Sequence, residues 1–350
     1  MSDTGRDGPA DRPGPADRAG PRDGALLVVG DVVTDVVARH SGPLAPGTDT
    51  VAAVRTVPGG AGANVACWAV YEGCADVRLL GRVGRDSAAW HERELTAGGV
   101  RPLLVTDPKA PTGTVICLVD GGASAERTFL TDSGASLRLA PEDWSPDLLD
   151  GVARLHLSGY LFFSAPSRAL VSVVLESART RGVPVSLDPA SAGFLTALGV
   201  DRFLGLCSGV DVLLPSRDEA CLLTGLSDPA EAAAELSRRF PLVVAKLGSD
   251  GALVARSGSV RAHVPAARAT PRDTTGAGDA FTGAFLASLL AGSGPGEAAR
   301  AGCAAGAKAV ERVGGRPPTR APGKESEESA EIEEWEEKES SGAADAWAGR

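Results

Sequence analysis

Residues 273–286 read Asp-Thr-Thr-Gly-Ala-Gly-Asp-Ala-Phe-Thr-Gly-Ala-Phe-Leu, a glycine-punctuated turn that delivers Asp279 to the start of an apolar, small-residue segment of helical character. Gly276, Ala277 and Gly278 carry no bulky side chain, so a ligand approaches the main chain closely, and the first N–H groups of a helix have no partner within it. With the positive end of a helix dipole behind it, such a turn holds a phosphate or the charge that develops on one during transfer. A carboxylate there repels the ligand, unless it takes a proton from a nucleophile attacking the bound phosphoryl group. Asp279 therefore reads either as that base or as an ordinary helix N-cap, a position where Asp is favoured anyway.

A second turn, Pro-Gly-Gly-Ala-Gly-Ala-Asn at 58–64, opens a helix that runs to Glu72 and stops at Gly73. It combines close approach at Gly59 and Gly60 with one polar reader, Asn64. Asp35, in Gly-Asp-Val-Val-Thr-Asp at 30–35, adds a carboxylate. Amide and carboxylate together suit a polyhydroxylated ligand, because hydroxyls need both donors and acceptors. A plain turn plus a cap accounts for the same residues locally.

The elements that must position these groups are legible as a rhythm. Short apolar runs at 25–30, 77–80, 155–158, 183–187, 210–214 and 242–247 suit buried strands, and Ala- and Leu-rich segments such as 168–181 and 229–240 have helical spacing. Alternating strand and helix predicts a mainly parallel sheet covered on both faces, with ligands at the carboxyl ends of its strands. Two segments, 36–57 and 112–131, alternate in the manner of exposed strands. They are expected to pair as a small separate sheet, a lid that excludes water from a transfer that must not become hydrolysis.

The formal net charge is −10, but residues 321–350 hold nine Glu and one Asp against two Lys and one Arg, and residues 1–24 five Asp against four Arg. Residues 25–320 are thus nearly neutral, which argues against a nucleic-acid binder with its clustered basic surface. Both ends lack the hydrophobicity to offset ordering entropy and are expected to be disordered, leaving one domain over 25–320. The acidic tail reads as solubilising, although Trp335 and Trp347 lie within it. No targeting signal or membrane-length apolar run is evident, so a cytoplasmic location is expected. The six cysteines are dispersed and the four histidines lack paired spacing, so both sets read as structural.

The two glycine motifs in this order, more than two hundred residues apart, resemble the paired signatures of the ribokinase-like (PfkB) carbohydrate kinases. Further similarity follows in order: Val-Gly-Arg-Asp at 83–86, Leu-Asp-Pro at 187–189, Leu-Pro-Ser-Arg-Asp-Glu-Ala at 214–220 and Leu-Gly-Ser-Asp-Gly at 247–251. The resemblance covers about residues 25–318 and implies an α/β three-layer sandwich with a small β-sheet lid. It implies ATP and Mg²⁺ as cofactors, Asp279 as catalytic base, and Gly276, Ala277 and Gly278 as the anion hole. Asp35, Gly59, Gly60, Asn64 and Glu126 would hold the sugar. Ser216, Lys246, Gly248, Gly251 and Thr274 would border the nucleotide, and Glu219 would organise Mg²⁺ through water. Asp273, Thr275, Arg312 and Gly314 match positions that hold a monovalent cation such as K⁺ in many relatives. Lid sheets of the family often pair into dimers, so a homodimer is expected.

Two departures stand out. Ser216 replaces the Asn of the family's Asn-x-x-Glu motif, and a hydroxyl reaches less far than an amide, so its phosphate contact is weakened or carried by water. Pro318 stands where ribokinase itself often has a serine. The implied reaction is transfer of the ATP γ-phosphoryl group to a primary alcohol of a sugar of ribose or 2-keto-3-deoxygluconate type. Rival readings are a nucleoside kinase, disfavoured by an aromatic content of only 4%, a silent sugar-binding regulator, and a sugar-phosphate kinase drawing on Arg39, Arg55, Arg127 or Arg138. Walker A, HRD and DFG motifs are absent.

Overall fold

The computed structural model describes residues 24–40, 43–120 and 127–318. Glu126, the segment 1–23 and the acidic tail lie outside the described residues. The chain opens with β1 (Ala25–Val29), β2 (Val33–His40), β3 (Ala52–Gly59) and α1 (Ala61–Tyr71), then β4 (Val77–Gly84), α2 (Ala88–Ala97) and β5 (Arg101–Asp107). It continues through β6 (Thr112–Asp120), β7 (Arg127–Gly134), β8 (Val152–Ser158), α3 (Ala165–Arg181), β9 (Val185–Asp188), α4 (Ala192–Leu198) and α5 (Val200–Leu206). The last part holds β10 (Val212–Leu213), α6 (Arg217–Thr224), α7 (Pro229–Leu236), β11 (Leu242–Lys246), β12 (Ala252–Arg256), β13 (Ser259–Val264), α8 (Ala277–Leu290) and α9 (Pro295–Val310).

Nine strands form one sheet in the order β13-β12-β11-β10-β9-β8-β1-β4-β5, parallel from β11 to β5 and antiparallel at β12 and β13. The period-2 alternation of its strands divides the core. On β1, Leu27 and Val29 join one cluster with Leu170 and Val174 of α3 and Leu236 of α7. Leu26 and Val28 join another with Val65 of α1, Phe285 of α8 and Ala298 of α9. Helices thus cover both faces, the three-layer sandwich the alternation predicts. Because β4 lies on one side of β1 and β8 on the other, the order reverses at β1, and a crevice opens at the carboxyl ends of these strands.

The remaining strands form a separate sheet, β3-β2-β6-β7, with β2 parallel to β6 and antiparallel to β3. Odd-numbered residues Val33, Asp35, Val115 and Phe129 turn towards the crevice. Their even-numbered neighbours point the other way.

Helix α8 is apolar all round and is gripped between α1 and α9. Gly283 makes the α1 contact so close that a Cβ there would meet the Val65 carbonyl oxygen at 2.6 Å and Trp68 Cβ at 2.7 Å. Gly283→Ala is therefore expected to lower unfolding stability by about 1–3 kcal/mol in urea titration. An unchanged midpoint would mean the helices separate freely.

Candidate active site

The two glycine turns both start helices, but only at one does a side chain cap the first N–H groups. Asp31 accepts from the Ala61 N–H (2.7 Å) and the Gly62 N–H (3.2 Å), and from the Ser158 hydroxyl (2.8 Å). The amino end of α1 is thereby satisfied by a carboxylate from the β1 loop. At α8 the N-cap is Gly276, in the left-handed region at φ 73°, with no side chain to cap anything. The Ala277 N–H donates to the Thr274 carbonyl at 3.4 Å, while no side chain caps the Gly278 and Asp279 N–H groups at the crevice, so this helix start suits an anion.

Asp279 is the third residue of α8 rather than its N-cap, so the capping explanation of this side chain does not hold. Its Oδ2 accepts from Asn64 Nδ2 at 2.9 Å, joining motifs 215 residues apart. The Asn64 Oδ1 is left buried without a partner among the described residues, in a crevice suited to hydroxyls. Burial pushes the Asp279 carboxyl up to about 8, with the Asn64 bond opposing and Asp188 adding to the rise. Burial and then Asp31 push Asp35 up to about 7, while Arg316 pulls it down. A Cβ on Gly59 would fall 2.3 Å from the Asp35 carboxylate, so only glycine fits beside it.

The turn before α8 is held from the far end of the chain. Asp273 accepts from the Thr275 N–H (2.7 Å) and the Gly314 N–H (2.9 Å), and the Gly315 carbonyl accepts from the Trp68 indole (2.9 Å). A Cβ on Gly276 would meet Gly315 Cα at 2.4 Å, and one on Gly315 would meet Asn64 Nδ2 at 2.4 Å. The turn before α8, the 314–315 loop and the Asn64 and Trp68 side chains of α1 thus lie in contact behind the start of α8.

Lys246, at the end of β11, is ion-paired with Asp188, at the end of β9, and Asp188 also accepts from the Thr282 hydroxyl at 2.9 Å. The ammonium lies 3.5 Å from where a Cβ on Gly278 would sit, over the first turn of α8. Burial opposes its charge, but Asp188 and Glu219 outweigh that and hold it above the usual lysine range. Ser216 and Glu219 form a capping box on α6: the Ser216 hydroxyl accepts from the Glu219 N–H (3.3 Å), and Glu219 Oε2 accepts from the Ser216 N–H (2.8 Å). The Ser216 side chain is committed to its helix, and Glu219 has one carboxylate oxygen left over. Burial, then Asp188, raises Glu219.

All of this meets in one cleft of about 980 Å³. It is lined by Asp35, Gly60, Asn64, Gly276, Gly278 and Asp279 on one side, and by Ser216, Glu219, Lys246, Gly248, Thr274 and Thr275 on the other. Gly59, Ala277, Gly251, Asp273, Arg312 and Gly314 do not line it. Gly251 instead packs against the Val264 carbonyl, where a Cβ would come within 1.9 Å. Lining residues that sequence reasoning did not assign include Asp31, Ser158 and Asp188, each within or beside a quoted motif, and an aromatic set without any motif. Tyr160, Phe163 and Phe194 touch one another, with centroids 4.6–6.0 Å apart, and Tyr160 and Phe194 line the cleft with Phe129. The low overall aromatic content does not carry over to the site. His156 is buried beneath it, lowered to about 4 by burial, so it is neutral at pH 7.

Residues 24–322 match the profile of the pfkB family carbohydrate kinases, and the chain belongs to that family. It is a sugar or nucleoside kinase, a phosphotransferase that acts on a hydroxyl group. A fructokinase from Klebsiella pneumoniae is 31% identical over 278 residues, covering 77% of this chain and 85% of that protein. Adenosine kinase 1 from Arabidopsis thaliana is 28% identical over 285 residues, 75% and 80% of the two chains. A putative ribokinase II from E. coli, solved in complex with ATP and Mg²⁺, superposes with a TM-score of 0.75 at 24% identity, covering 90% of this chain and 99% of that one. No helix among the described residues is long and apolar enough to cross a membrane.

Proposed function

We propose that the protein transfers the γ-phosphoryl group of ATP to a primary hydroxyl of an uncharged sugar or sugar-bearing acceptor, with Asp279 as the base. The observation that carries this reading is the Asn64–Asp279 hydrogen bond in front of the uncapped start of α8. The acceptor hydroxyl gives its proton to the Asp279 carboxylate as its oxygen attacks in line. Asn64 orients that carboxylate, while the α8 N–H groups and Lys246 face the negative charge on the phosphoryl oxygens. Asp35 and Asn64 accept and donate to the remaining hydroxyls. Glu219 would hold Mg²⁺ through water, consistent with a cation that keeps its hydration shell and with a single available carboxylate oxygen. The ion would supply charge neutralisation at the phosphates.

An uncharged acceptor is favoured over a 2-keto-3-deoxygluconate or a sugar phosphate. Lys246 is the one Lys or Arg among the described residues lining the cleft, and it faces Asp188, while His156 is neutral at pH 7. Arg138 is bound to Asp107 at 2.7 Å, and neither Arg39 nor Arg55 lines the cleft. The Arg127 side chain lies outside the described residues. ADP release from Mg·ATP across ribose, fructose, 2-keto-3-deoxygluconate and fructose phosphates, beside Asp279→Ala, tests the reading. A substrate-dependent signal lost in the variant supports it. Turnover confined to anionic acceptors would remove the preference for uncharged ones.

The turn at 273–276, tied to the 312–314 loop through Asp273, is carried in this reading as a K⁺ site built on main-chain oxygens of Asp273, Thr275, Arg312 and Gly314. Higher rates in K⁺ than in Na⁺ at equal ionic strength are expected, and equal rates would remove the site. A homodimer is likewise expected through the outer face of the small sheet, where Val54 is 59% and Leu130 53% exposed beside Val36 and Ile116. Val54→Lys with Leu130→Lys should convert it to a monomer in light scattering. A wild-type monomer overturns this assembly.

A further inference from the structure

Of the fifteen aromatic residues in the chain, Tyr160, Phe194 and Phe129 line the cleft, with Phe163 packed behind the first two. Phe163 and Phe194 stack at 4.6 Å with 28° between their planes, and Tyr160 stands edge-on to both at 6.0 and 5.8 Å. These rings come from the turn after β8 and from α4, at the strand ends beside the catalytic crevice. Phe129 reaches the same cleft from β7 on the small sheet. Phe194 is 36% and Phe129 51% exposed. Large apolar rings open to water inside a cleft, with a polar hydroxyl-reading pocket beside them, define an amphiphilic site: one half suits a sugar, the other a flat apolar surface.

We propose that the acceptor is a nucleoside, whose ribosyl ring lies against Asp35 and Asn64 and whose planar base lies on Phe194 and Tyr160, beneath Phe129. This rests on the kinase reading above and specifies its substrate class. A free sugar fills the polar half and leaves three rings uncovered. A planar heterocycle covers them, and base–aromatic stacking tolerates any π-face. Tyr160 keeps its proton, since burial followed by Asp31 and Asp279 holds its hydroxyl above the usual tyrosine range, so no phenolate charge opposes the base. The base would be uncharged as well, because the described lining residues offer no cation beyond the paired Lys246.

The test compares kcat/KM for adenosine, inosine, uridine and pseudouridine with that for ribose and fructose in the full-length protein. Direct calorimetric binding of the same compounds to Asp279→Asn supplies a readout independent of turnover. At least one nucleoside is expected to exceed ribose by about 100-fold or more in kcat/KM, and Phe194→Ala and Phe129→Ala should each cut that selectivity ratio by about 10-fold, chiefly through KM. Phe194→Leu, which keeps an apolar side chain on α4, separates lost stacking from a folding defect and should fall between the wild type and Phe194→Ala. Efficient turnover of ribose or fructose with nucleosides ignored overturns the nucleoside assignment and leaves the kinase standing. Nucleoside binding that depends on Phe194, with no phosphorylation of any acceptor by the wild type, would support the base subsite and overturn the kinase reading instead.

Discussion

Asp279→Asn is expected to lower kcat about 1,000-fold while Mg·ATP binds at least as tightly as to the wild type. Above about pH 8, where Asp279 is ionised, the substitution takes away a repulsion on the nucleotide even as it takes away the proton acceptor. The pH profile is distinctive. With Asp279 pushed up to about 8, most of the free enzyme carries a protonated base at pH 7, so kcat/KM for the acceptor should climb with pH and level off only above about 8. Asp35, raised to about 7, adds a second ionisation, so the acidic limb should steepen below that pH. Asp35→Asn should return it to a single ionisation. A flat profile from pH 6 to 9 would remove Asp279 from the role of base.

The same group has a stability signature of opposite sign. A carboxyl whose folded-state pKa lies above its unfolded value binds its proton more tightly when folded. That contribution is complete below about 3.8 and is lost as pH rises through about 8. Asp279→Asn, which can still accept from Asn64, should therefore raise the melting temperature at pH 8 and above more than at pH 5. The Asp279 carboxylate is held at the expense of the fold.

Lys246→Met should be the second severe substitution. It leaves Asp188 buried without its cation, and breaking such a pair from one side costs about 3–5 kcal/mol, whereas replacing both partners is often neutral. Asp188→Leu combined with Lys246→Met is expected to recover most of the lost stability in urea unfolding. Turnover should not recover, because the only described cation over the first turn of α8 is gone, and a loss of about 100-fold or more is expected in both variants. Activity returning with stability would assign Lys246 a purely structural place. Lys246→Arg, whose planar head does not match a single buried carboxylate oxygen and the Gly278 contact together, should stay impaired.

The layered sheet was legible because its buried strands are short apolar runs and its helices keep their own period. The junction of Asn64 with Asp279 was legible only through a resemblance, since nothing local says that positions 64 and 279 touch. Two features escaped. Asp31 sits in a quoted motif, yet that it closes the start of α1 depends on where β1 ends relative to a helix thirty residues on. The aromatic wall was hidden by averaging: a composition of 4% says nothing about Tyr160, Phe194 and Phe129 converging from three elements. Ser216 looked like a weakened phosphate ligand, and the structure gives its hydroxyl to a helix cap, a competing use that Ser meets readily.

The contact of Gly276 and Asn64 with Gly315 also sets a schedule for biosynthesis. On a ribosome the N-terminal part of a domain emerges first, and Asp31, Asn64 and the β1 crevice are made long before their partner loop. The anion turn gains its backing only when residues 311–316 have left the exit tunnel and docked against Trp68. A partly synthesised chain therefore has the Asn64 side of the cleft without the backed turn before α8, and the cleft is completed only late in synthesis.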